Sequence, residues 1–141
     1  MRRLTAAGDR FGQARGLASM LDAACEAFEE ILAVIGGYED ASDALVMPLL
    51  LAATQAANGR DAVLFAPSLP ARRLHQLRVG EELERGSAQD VIVAVTGLCQ
   101  LLASGLARTA AGMAAAADRT ACRDAARHAQ QICALLAGSG P

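Results

Sequence analysis

Apolar residues at Leu4, Ala7, Phe11, Ala14, Ala18, Leu21, Cys25, Phe28, Leu32 and Ile35 follow one another in alternating steps of three and four without a miss. That spacing puts all ten on one stripe of an α-helix and does not suit the two-residue alternation of a half-buried strand. The opposite face carries Arg15, Ser19, Asp22, Glu26, Glu29 and Glu30. The pattern therefore predicts one long amphipathic helix with a buried seam and a solvated acidic ridge, stopped by Gly36-Gly37.

Three more helices follow by the same reasoning. The second opens after Asp40 or Ser42 and runs through Ala44–Ala57, with Pro48 in its first or second turn, where a missing N–H costs least. Asn58-Gly59 reads as a stop, although the spacing from Asp61 to Phe65 allows continuation to Ala66. Pro67 and Pro70 then begin an irregular connector, residues 67–86, with a short helical piece around Arg72–Leu77. Ser87 with Asp90 resembles a capping box opening the third helix, whose seam is Ile92, Val95, Cys99, Leu102, Leu106, Thr109 and Met113. The fourth begins near Asp118 and turns Cys122, Ala125, Ala129, Ile132 and Leu136 inward, before a frayed tail at 138–141. The expected fold is all-α: an alanine-rich, up-down four-helix bundle, a single domain over residues 1–141.

Composition agrees with that class. Hydrophobic residues make up 53% of the chain and aromatics 3%, so the core must be aliphatic and alanine-based, which favours closely packed helices. A net charge of −2 gives no field that points to nucleic acid or an anionic membrane. Apart from His75 and His128 every basic residue is arginine, a bias expected of a GC-rich bacterial genome, and without lysine neither Schiff-base catalysis nor a Walker-type phosphate site is available. Asp9, Arg10, Gln13 and Arg15 interrupt any signal-like stretch after Met1-Arg2-Arg3. Four cysteines, Cys25, Cys99, Cys122 and Cys133, then read as reduced thiols in a cytoplasmic protein.

The sequence offers no catalytic constellation. It has no Glu-x-x-His and no Cys-x-x-Cys, so no metal and no cofactor is expected. The cysteines fall on apolar faces, where thiols pack as small hydrophobes. His128 sits at the rim of the fourth helix, and Glu26, Glu29 and Glu30 read as solvated carboxylates. The loop cluster Arg72, Arg73, His75 and Arg78 is a candidate contact for an anion or acidic partner, because guanidinium groups bind carboxylate and phosphate bidentately. No aromatics interleave with it to stack bases, so nucleic acid is not an expected partner.

The third helix is the place to look for function. Between Asp90 and Asp118 it carries one charge, Arg108, and its side away from the seam is small and neutral. A helix apolar or neutral all round packs on more than one side. Gly97, Gln100, Ala103, Ser104, Ala107, Arg108 and Ala111 are therefore the expected partner interface, for a homodimer or another protein. A membrane span is not expected, since Val91–Ala107 falls short of about 20 residues and includes Thr96, Gln100 and Ser104. The expected function is a non-enzymatic interaction or scaffold protein. The alternative is a bundle that binds a small molecule in an apolar interior pocket.

Overall fold

The stripe that begins at Leu4 is one pattern but two helices. In the computed structural model, which describes residues 2–38, 43–70, 87–113 and 115–138, α1 (Arg2–Gln13) ends at an elbow and α2 (Leu17–Gly36) begins beyond it. Gly16 makes the elbow with φ +81°, the left-handed region that glycine enters without steric penalty. The chain folds back there, so α1 lies across α2 instead of extending it. The remaining helices are α3 (Asp43–Leu64), α4 (Ala88–Ala111) and α5 (Ala116–Ala137). The described residues thus form five helices and no strand, which corrects the expected four-helix bundle while keeping its all-α class.

The helices are joined in a ring of contacts: α2 packs on α3, α3 on α5, and α5 on α4. Between α4 and α2 the direct contact is slight, and α1 lies against both. Apolar spacing explains most of this placement. Leu4, Ala7 and Phe11 of α1, Leu21, Cys25 and Phe28 of α2, and Cys122, Ala125, Ala129, Ile132 and Leu136 of α5 are all buried, as their three- and four-residue steps require. Fully burying a side chain such as Phe28 or Ile132 stabilises the fold by about 2 to 3 kcal/mol.

Two glycines set how closely helices approach. A Cβ at Gly59 would stand 2.5 Å from Cε1 of Phe28, so the ring of α2 occupies the space a side chain on α3 would need. Asn58-Gly59 accordingly does not stop α3, which continues to Leu64 because glycine there serves packing and not termination. At Gly105 of α4 a Cβ would stand 2.6 Å from Cε1 of Phe11, and α1 docks by that contact.

Local chemistry fixes the other ends. Ser87 Oγ accepts from the backbone N–H of Asp90, and Asp90 Oδ2 accepts from the N–H of Ser87, completing the capping box of α4. Gly112 caps α4 after Ala111, so Met113, the last residue of the expected seam, lies just beyond the helix. Pro48 is the sixth residue of α3, past the first turn, where it removes one helical hydrogen bond. Residues 71–86, most of the expected connector, lie outside the described residues, as do 139–141 of the expected tail.

Candidate functional site

The acidic ridge of α2 is not solvated. Asp22, Glu26 and Glu30, one helical turn apart, are buried because α1 folds over them and brings arginines with it. Arg3 holds Glu30 through two contacts, Nε to Oε2 at 2.7 Å and Nη2 donating to Oε1 at 3.1 Å. Arg10 pairs with Glu26 one turn further toward the elbow. The expectation of a solvated ridge fails for a physical reason: burying carboxylates is tolerable only with paired cations, and those sit on a helix the periodicity had merged with α2.

Where the elbow opens, Arg10, Gln13, Arg15, Ser19, Asp22 and Glu26 line a groove of about 450 Å³. It mixes charged and polar side chains with Ala14 and Ala23 and is open to solvent, unlike the enclosed apolar pocket that the small-molecule alternative calls for. Of its lining, Arg10 and Glu26 are already paired across the α1–α2 seam, so it works as a structural clamp before anything else.

Acid–base chemistry would need those carboxylates beside a histidine. His128 instead belongs to the α3–α5 contact, with its Nδ1 at 2.7 Å from Oε1 of Gln55, while α2 and α5 do not pack on each other. Glu26 and Glu30 therefore share no site with it. His75, Arg72, Arg73 and Arg78 lie outside the described residues. Among the described residues no three histidine, cysteine or acidic side chains come together in a metal-binding group.

Three of the four thiols are buried, and Cys133 is half-buried. Burial pushes the Cys122 thiol up to about 11, with the nearby Asp118 charge adding to it. Cys25 is also turned inward, its sulfur 3.4 Å from Oε1 of Glu29.

On α4, Gly97, Gln100, Ser104, Ala107, Arg108 and Ala111 are exposed in one stripe, whereas Ala103 is buried and faces the core. Val93 and Leu101 add two exposed apolar side chains to that helix. At Gly105 of this helix, the space beside the backbone is filled by Phe11 of the same chain. By length and apolarity α4 could cross a membrane, with half of its most apolar stretch buried against other helices.

A second surface was missed by periodicity. Val46, Met47, Leu50 and Leu51 of α3 are exposed, Met47 and Leu50 each by 56%. They adjoin one another at three- and four-residue spacing on the side of α3 opposite Leu49, Ala52 and Ala56, which are buried. The available signal was the absence of any charge from Ala44 to Asn58, which leaves this stretch of α3 uncharged on every side, much as α4 was singled out. Comparison of the chain with protein-family models, with curated proteins and with solved structures gave no match.

Proposed function

We propose that this chain is a non-enzymatic interaction protein that associates with a second copy of itself through the outer face of α3. The observation that carries the reading is the contiguous exposure of Val46, Met47, Leu50 and Leu51. Large apolar side chains exposed side by side are uncommon on soluble proteins and often mark interaction sites, and methionine is enriched in interface cores. A second copy is the fitting occupant because a two-fold contact sets a patch against itself. A charged patch repels its own image, and the α3 face from Ala44 to Asn58 has no ionisable side chain.

A second reading places the contact on α4, supported by the stripe from Val93 to Ala111 that carries only Arg108. Its side chains are smaller and bury less apolar area per residue, which favours α3.

Sedimentation of the wild type against a Met47→Glu/Leu50→Glu variant and a Gln100→Glu/Ala107→Glu variant tests both. The expected result is a wild-type dimer, dissociated by the α3 changes and retained after the α4 changes. The reverse pattern transfers the interface to α4. A monomeric wild type at high micromolar concentration removes the reading altogether.

A further inference from the structure

Two thiols meet across the interface of α4 and α5. Cys99, fully buried on α4, and Cys133, half-buried on α5, are close enough for each thiol to shift the ionisation of the other. Cys133 Sγ also lies 3.8 Å from the carbonyl oxygen of Thr96, one turn before Cys99 on the same face of α4. Ala125, Ala126 and Ala129 of α5 are buried on the turns before Cys133, and α5 packs on α4. We propose that Cys99 and Cys133 form an oxidisable dithiol, a modification site at which a hydroperoxide closes an α4–α5 disulfide.

The two cysteines have different roles. Cys133 is the reachable one, and its pKa is lowered to about 7 because the Cys99 S–H donates to its sulfur, with its own backbone N–H helping. Cys99 is correspondingly shifted upward, first by that hydrogen bond and then by burial. Thiolate character with access is what makes a thiol react with peroxide. The Cys133 thiolate attacks one peroxide oxygen. The O–O bond breaks, a sulfenic acid forms on Cys133, and the departing oxygen leaves protonated as water or an alcohol. Cys99 then attacks the Cys133 sulfur. Its proton leaves with the sulfenic hydroxyl as water and the S–S bond closes, the two electrons lost by the thiols having gone to the peroxide. Cys25 is fully buried, away from any peroxide in solvent, and for Cys122 burial works against the thiolate.

Limited hydrogen peroxide applied to the intact chain, followed by peptide mapping and intact mass, tests the proposal. The expected product is a monomeric chain lighter by about 2 Da with Cys99 and Cys133 peptides linked, reversed by dithiothreitol. In Cys99→Ser the reaction should stop at Cys133 as a sulfenic acid captured by dimedone, and Cys133→Ser should resist the same dose. Linkage between chains, oxidation at Cys25 or Cys122 first, or a wild type whose Cys133 is neither linked nor dimedone-labelled overturns it. Because the wild-type map carries the decision, misfolding of either variant leaves the test intact.

Discussion

The ring of Phe11 lies against the backbone of Gly105, filling the space a Cβ on that residue would occupy. Phe28 and Gly59 repeat the arrangement between α2 and α3. Alanine at either position would add helix propensity of about 1 kcal/mol but drive a methyl group into an aromatic ring. Phe28 is fully buried and has nowhere to retreat, so Gly59→Ala should lower global stability by about 1 to 2 kcal/mol in urea unfolding. Phe11 belongs to a helix docked on one side only. Gly105→Ala should therefore loosen α1 first, seen as faster amide exchange over residues 2–13 with α5 still protected. Gly97 has open space around it, and alanine there should stabilise by up to about 1 kcal/mol.

Arg3→Met should be costly while Arg3→Met/Glu30→Leu should not. The single change leaves Glu30 buried without its guanidinium, a loss of about 3 kcal/mol or more, whereas removing both partners exchanges an ion pair for apolar packing. A double-mutant cycle in chemical denaturant gives the coupling directly. A near-additive result would show that Arg3 and Glu30 contribute independently and that the pair does not hold α1 in place.

Asp118 fastens the turn after α3 to the start of α5. It is buried and accepts from the backbone N–H of Ser68 at 3.0 Å and from Ser68 Oγ at 2.6 Å. Asp118→Ala should cost about 2 to 3 kcal/mol by stranding both donors and removing an acid from the first turn. Asp118→Asn keeps one acceptor and should cost less, as thermal melts of the two would show.

Some of this architecture is written plainly in the residues. Ser87 and Asp90 announce their cap because a capping box is local, and the seam from Cys122 to Leu136 reads correctly because α5 is regular throughout. The elbow at Gly16 was hidden because Ala14 and Ala18 keep the apolar steps in phase across it, so periodicity could not register a reversal of direction. Once α1 and α2 were merged, Arg3 and Arg10 lay on the same helix as Glu26 and Glu30 instead of opposite them, and the acids seemed bound for solvent. Cys99 was legible as a seam residue and Cys133 as a residue of an apolar face. Their meeting depends on the register of α4 against α5, which no short-range pattern contains.

Replacing Ser87 with alanine should reduce stability by about 1 kcal/mol, the usual worth of such a cap, since it removes the acceptor for the N–H of Asp90. Calorimetry of Ser87→Ala beside Ser87→Asp, which can still accept, separates the cap from a general effect of substitution.

The pH dependence of thiol alkylation should distinguish Cys133 from Cys122. A thiol reacts as its thiolate, so iodoacetamide should label Cys133 increasingly as pH rises through about 7 and leave Cys122 until pH approaches about 11. Cys99→Ser replaces the thiol donor and should move the Cys133 midpoint, while Cys25→Ser should leave it in place.

The two arginines of α1 and its one aromatic ring also act together as an index. A slide of α1 along its groove by one turn, about 5.4 Å, would part Arg3 from Glu30 and Arg10 from Glu26 while lifting Phe11 off Gly105. Each contact alone tolerates some misalignment, but all three are satisfied at only one position. A short helix on a glycine pivot is thereby given a single address on the surface of α2 and α4, much as a key is accepted at one depth in its lock.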